Sequence, residues 1–116
     1  MSRFVPVESA PRATEAACQA TIVQAARLAG WMVHAERPAQ KSNGRWVTSI
    51  QGDPGFPDLV LVRGECLLFV ELKRKPNKVE PAQQKWLDAL EAAWGEVEVC
   101  YVPEAMDWLL SMLVQR

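Results

Sequence analysis

Two apolar runs separated by a tight turn signal constrain this chain more than any other feature. Residues 58–62 read Asp-Leu-Val-Leu-Val, residues 66–72 read Cys-Leu-Leu-Phe-Val-Glu-Leu, and Arg63-Gly64-Glu65 lies between them. Short runs rich in Val and Leu, bounded by turn residues, favour strands. Neither run alternates polar with apolar residues, so both faces of each strand are expected to be covered. A two-residue Gly64-Glu65 loop makes a hairpin, with Gly where a type II′ turn needs it. That turn pairs Arg63 with Cys66. Counting back in the same register sets Asp58 opposite Glu71.

The remaining elements are expected around this hairpin. Pro11 suits the first turn of a helix. The helix runs to Ala29, with Cys18, Ile22, Val23, Ala26 and Leu28 as its stripe and Gly30 as its stop. Trp31–Ala35 reads as a strand. Residues 36–57 read as a long loop with a short strand over Arg45–Ile50, and a loop of that length is usually functional. A second amphipathic helix follows Glu80-Pro81 to about Trp94, with Trp86, Leu87 and Leu90 inward and Gly95 ending it. Val97–Val102 is a strand. Pro103 opens a last helix with Met106, Leu109, Leu110 and Leu113 on one stripe. The order α-β-(β)-β-β-α-β-α describes an α/β fold, a mixed central sheet flanked by helices. The 116 residues suffice for one core, so residues 11–116 are read as a single domain behind a loose arm, residues 1–10.

Composition excludes several classes. With 49% apolar and 23% charged residues the chain is neither fibrous nor disordered. Its longest apolar run, Cys66–Val70, is too short for a bilayer, and the first residues lack the apolar stretch of a signal peptide. A cytoplasmic location without membrane contact is therefore expected. Cys18, Cys66 and Cys100 form no CxxC pair and read as reduced thiols. Of five Trp, Trp31, Trp86, Trp94 and Trp108 lie in apolar patterns and are expected in the core or a subunit interface, while Trp46 lies in a polar segment. His34, the one histidine, reads as a structural residue of its strand.

The chemistry concentrates at the open end of the hairpin. Glu71 and Lys73 are two apart on a strand, so they share a face about 7 Å apart while Leu72 points the other way. Asp58, directly opposite Glu71, would bring its Cβ within roughly 5 Å of it. Two carboxylates that close repel unless a positive charge lies between them, and Mg²⁺ favours a pair of carboxylates completed by water and phosphate oxygens. A Glu-x-Lys pair alone is most often a solvated salt bridge; Pro57-Asp58 in matching register separates this chain from that case. A net charge of −1 is unusual for a nucleic-acid-binding protein, but carboxylates gathered at a cation site distort that count. Locally, Lys73, Arg74, Lys75 and Lys78 fall within six residues, and Arg37, Lys41 and Arg45 share one loop. Arg37, Lys41, Arg45, Arg74, Lys75 and Lys78 are candidate phosphate contacts. The loop glycines Gly44, Gly52 and Gly55 would let a sugar–phosphate backbone come close. Gln83 shares a helix face with Leu87 and Leu90 and so looks inward.

Gly55-Phe56-Pro57-Asp58, twelve residues, then Glu71-Leu72-Lys73 resembles the signature of the PD-(D/E)XK nucleases, whose core is restriction-endonuclease-like. The context is similar to the virus-type replication–repair nuclease (VRR-NUC) branch. That branch has an acidic residue on the first helix, matched by Glu15, and a segment after the hairpin ending in Gln, matched by Gln83; it usually has Ser where this chain has Glu80. The likeness runs from about Glu15 to Leu113. It implies a Mg²⁺- or Mn²⁺-dependent endodeoxyribonuclease in which Asp58, Glu71 and the Leu72 carbonyl hold the metal, with Glu15 reaching it through water. Lys73 would orient the attacking water or steady phosphate charge, and Gln83 would support the site. Stand-alone phage members look like Holliday-junction resolvases, which implies branched, four-way DNA, a homodimer, no organic cofactor, and the cytoplasm of a bacterial host if phage-encoded. Trp94, Trp108, Met112 and Leu113 are the candidate interface. Three other readings compete: a non-catalytic DNA-binding module on the same fold, a protein-interaction adaptor, and a sequence-specific restriction nuclease, for which the chain is short of a readout element.

Overall fold

The computed structural model describes residues 13–36, 39–40, 46–47 and 50–115. The expected arm and the basic trio Arg37, Lys41 and Arg45 lie outside them, as does Gly44. Helix α1 spans Glu15–Leu28, and the Thr14 side chain accepts from the Ala17 N–H at its start. Gly30, at φ +93°, takes the left-handed position beyond its end. Strand β1 (Met32–Ala35) follows. A two-stranded hairpin, β2 (Ala39–Gln40) with β3 (Trp46–Val47), then interrupts the expected loop. Strands β4 (Leu59–Arg63) and β5 (Cys66–Lys73) come next, then α2 (Pro81–Ala92), β6 (Glu96–Tyr101) and α3 (Met106–Gln115).

The main sheet has the order β1-β4-β5-β6 and is mixed: β1, β4 and β5 are antiparallel, and β6 runs parallel to β5. Gly64 has φ +60° and Glu65 does not share a positive φ, as a II′ turn requires. Arg63 pairs with Cys66 and Leu59 with Val70, the register expected from the turn. Alternation along β4 and β5 then sorts the side chains. Leu59, Leu61, Leu68, Val70 and Leu72 face α1 and α3, and with Ile22, Cys100, Leu109 and Leu113 they form the buried core. Each fully buried Leu contributes about 1.5–3 kcal/mol. The other face carries Phe69, Glu71 and Lys73 toward α2.

Five expectations change. The second face is covered only where α2 lies: Val62 and Leu67, cross-strand partners, are exposed together with Met32. The left-handed residue ending α2 is Trp94 (φ 70°), not Gly95, whose added Cβ would lie 2.9 Å from the Leu90 carbonyl oxygen. Trp94 is 97% exposed and Trp108 about half exposed, so neither is core. Leu113 is buried and drops out of any interface, while Met112 packs against the core. The last helix begins at Met106, with a turn between it and Pro103. Among the described residues no helix is long and apolar enough to cross a membrane.

Candidate active site

The site forms where β4 begins and its pairing with β5 stops. Asp58 stands one residue before β4, and its carbonyl accepts from the Glu36 N–H at 3.2 Å. Continuing the register past Leu59–Val70 sets Asp58 against Glu71 and Pro57 against Leu72. Proline has no N–H, so the ladder cannot continue there. The Leu72 N–H is instead taken by Asp58 Oδ2 at 2.8 Å. A strand residue points its N–H and C=O to the same side. The Leu72 carbonyl therefore faces the Asp58 side, where Pro57 offers no ladder donor.

Glu71 and Lys73 lie on the α2 side of β5, with Lys73 Nζ 3.4 Å from Glu71 Oε2. They are not a solvated pair: Glu71 is 2% exposed and Lys73 8%. Gln83, in the first turn of α2, donates from Nε2 to Glu71 Oε2 at 3.0 Å, and its Oε1 accepts from the Glu80 N–H at 2.8 Å. Both ends of one amide are thus used, which fixes its orientation. Glu80-x-x-Gln83 is the spacing of a capping box, a signal in the sequence that would have found this bridge. Glu71 Oε1 is buried and has no hydrogen-bond partner. Such an orphan is uncommon, and beside Asp58 it suits either a proton shared between the two carboxyls or a cation held between them.

Electrostatics points the same way. Burial pushes the Glu71 carboxyl up to about 8, helped by the Asp58 charge and opposed by Lys73. Asp58 is raised too, first by burial and also by Glu36, against the lowering pull of the Leu72 N–H and Lys73. Half-buried Glu15, first residue of α1, is raised by burial and then by Asp58, and lowered by Lys73 and Arg74. Glu15, Asp58 and Glu71 therefore act on one another, with Lys73 among them. The donor set fits a divalent cation that keeps several waters: two carboxylates, one with an unsatisfied oxygen, plus a carbonyl. Among the described residues no three His, Cys, Asp or Glu side chains are grouped so as to hold a metal ion by themselves.

The loop before Asp58 is clamped to α2. A Cβ on Gly55 (φ +95°) would lie 2.6 Å from the Ala82 backbone carbon and 2.8 Å from the Gln83 nitrogen. Gly55 thus serves close approach to the helix carrying Gln83, not to a phosphate as its sequence position implied; Gly52 is open. Phe56 stacks edge-on between Phe69 and Trp86, with centroids at 6.0 and 5.0 Å, and Trp86 Nε1 donates to the Asp53 carbonyl.

Of the expected site residues, the structure gathers Glu15, Asp58, Glu71, Leu72, Lys73 and Gln83. Arg74 is half-buried beside Glu15, its Nε without a partner. Lys75 and Lys78 are exposed on the segment that follows. His34 is exposed on β1, away from the core. Glu36, which anchors and charges the Asp58 surroundings, was not anticipated; only its register opposite Asp58 could have shown it.

The sequence matches the VRR-NUC domain over residues 12–104. The chain belongs to the VRR-NUC family. A solved structure described as a VRR_NUC domain superposes with a TM-score of 0.60 at 22% identity, covering 85% of this chain and 97% of that one. It shares the fold. No curated protein matches the chain. Membership in VRR-NUC carries a nuclease-type fold, and the cluster around Glu71 lies within the matched span.

Proposed function

We propose that this VRR-NUC chain is a divalent-cation-dependent endonuclease that hydrolyses DNA phosphodiesters. The observation that carries the reading is the Glu71 carboxyl: buried, facing Asp58 across the register, with one oxygen tied to Gln83 and Lys73 and the other unsatisfied. Asp58, Glu71 and the Leu72 carbonyl would hold Mg²⁺ or Mn²⁺, and Glu15 would reach it through water. The cation supplies positive charge against a phosphate oxygen and acidifies water at neutral pH. Lys73 orients the attacking water or offsets charge gathering on the phosphate. Gln83 fixes the Glu71 rotamer. Arg74, Lys75 and Lys78, with Arg37, Lys41 and Arg45, hold flanking phosphates, so affinity should fall steeply with salt.

The finer reading is a homodimer that resolves four-way junctions. Paired cuts in two strands related by a two-fold axis require two sites with that symmetry. Exposed Trp94 and Trp108 supply aromatic surface of the kind enriched at interfaces.

Cleavage of labelled duplex, flap, single-stranded and four-way DNA tests the whole reading. Activity is expected with Mg²⁺ or Mn²⁺ and none in EDTA, and full activity in EDTA overturns the mechanism. Light scattering should give twice the 13.0 kDa chain mass. A monomer at micromolar concentration removes the dimer, and cuts scattered evenly over linear duplex remove the resolvase.

A further inference from the structure

Strands β5 and β6 run parallel and end together, at Lys73 and Tyr101. The carboxyl ends of neighbouring parallel strands are where open α/β sheets bind ligands. The register sets Val99 beside Glu71 and Tyr101 beside Lys73. Paired residues share a face of the sheet, so Val99 and Tyr101 lie on the α2 side with Glu71 and Lys73. Val99 is 36% exposed and Tyr101 half-buried, so this flank of the site is open. Glu71 and Lys73 are thus bracketed, by Asp58 from the β4 side and by a phenol from β6.

Tyr101 is the chain's one tyrosine. Its backbone is held on both sides. The Val102 N–H donates to the Lys73 carbonyl at 2.7 Å, which carries the ladder one residue past Tyr101, and the Ala105 N–H donates to the Tyr101 carbonyl at 2.7 Å. No described residue shares a hydrogen bond with its hydroxyl. The Lys73 ammonium, its neighbour in the register, is turned to Glu71 Oε2 instead. A phenol in a half-buried setting ordinarily finds a partner for its O–H. A rigid strand end therefore presents a neutral donor at the rim of a site whose other groups are charged. Lys73 and the cation proposed between Asp58 and Glu71 already face the phosphate being cut. Tyr101 stands one strand further on, about 5 Å beyond Lys73. We infer that the Tyr101 hydroxyl donates to the phosphate next to the one being cut, on the β6 side, and so anchors the strand there. The inference rests on the nuclease reading for the place of that phosphate, whereas the contact itself can be measured without cleavage.

Tyr101→Phe removes the hydroxyl and keeps the ring, and should leave the melting temperature unchanged. Binding is read first, as the anisotropy of a labelled DNA duplex in Ca²⁺. The variant should bind at least about fivefold more weakly, the loss of one hydrogen bond to a charged group. The slope of affinity against salt should stay the same, because a neutral donor releases no counterion from the phosphate. As the one tyrosine, Tyr101 can also be followed in the wild type: incorporated fluorotyrosine gives a single fluorine resonance, which should shift saturably as DNA is added in Ca²⁺. In Mg²⁺ the KM of Tyr101→Phe should rise while kcat holds, as for a contact made equally before and during cleavage. Unchanged affinity in Tyr101→Phe overturns the inference, as does a fluorine resonance unmoved at saturating DNA. A loss of affinity with a shallower salt slope, or with early melting, assigns the effect to displaced lysines and arginines and also overturns it. A fall in kcat with KM unchanged puts the hydroxyl at the reacting atoms and overturns the assignment to the next phosphate. The expected affinity, slope and resonance with no cleavage of any DNA in Mg²⁺ or Mn²⁺ sink the nuclease reading and leave the phosphate contact standing.

Discussion

Replacing Glu71 by Gln keeps the side chain's shape and removes one ionisable group, which makes it a direct probe of the site's charge. The carboxyl titrates at about 8 in the fold against an ordinary 4.5. Between those values the folded chain holds a proton that the unfolded chain has released. Stability contributed by this group is therefore intact below about pH 4.5 and declines as pH rises toward 8. At about 1.4 kcal/mol per unit, the interval from 4.5 to neutrality bounds the cost at about 3 kcal/mol. Asp58 and Lys73 share the proton balance, so a gain of roughly 1–3 kcal/mol is expected for Glu71→Gln at pH 7. For a domain of this size that is roughly 4–12 °C in Tm. The assay is thermal unfolding in EDTA at pH 4.5 and 7.5. The variant should melt above the wild type at 7.5, and the two curves should converge at 4.5. Added Mg²⁺ should raise the wild type only. An unchanged or lower Tm for Glu71→Gln at pH 7.5 in EDTA would refute the reasoning that burial of this ionisable carboxyl costs the fold stability at neutral pH.

Further outcomes follow from the same geometry. Mg²⁺ affinity, read by titration calorimetry, should rise with pH up to about 8, because the cation must displace the Glu71 proton; a pH-independent affinity contradicts that. Gln83→Ala frees both Glu71 Oε2 and the Glu80 N–H, and should destabilise by about 1–2 kcal/mol and slow cleavage about 10–100-fold; a wild-type rate would make Gln83 a helix cap only. Gly55→Ala forces a Cβ into the α2 backbone at positive φ and should cost about 2–4 kcal/mol in denaturant titration, whereas Gly52→Ala, with open space around it, should cost less. Lys73→Met should lower the cleavage rate at least about 10²-fold while Ca²⁺-supported DNA binding persists; a near-wild-type rate removes Lys73 from the chemistry.

The centre of the fold was legible because one turn determines it. Gly64 permits a two-residue loop, and that loop sets every pair from Arg63–Cys66 back to Asp58–Glu71. Alternation then sends Glu71 and Lys73 to one face. What the sequence hid depends on which parts of the surface other elements cover. An apolar run cannot say that α2 shields Phe69 but leaves Leu67 in solvent. Trp94 looks like core by type, yet it falls at the left-handed residue past the helix end, where the side chain points outward. Gly55 looked like a loop glycine open to a ligand because its actual neighbour, the first turn of α2, lies 27 residues along the chain. Glu36 was silent for the same reason: only strand pairing sets it beside Asp58.

The Gln83 bridge ties a helix cap and the proposed ion site into one cooperative unit. The same amide holds the first turn of α2 closed and Glu71 in place, so neither can loosen without the other. Backbone amides at the start of α2 should then exchange with solvent hydrogen at a rate set by local opening of that unit. Loading the site with Ca²⁺ should slow exchange at Glu80 and its neighbours, though they contact no cation. Amides at the far end of α2, near Ala92, should be unmoved. The start of one helix would thus report the occupancy of the proposed ion site in a protein that need not cut anything while being observed.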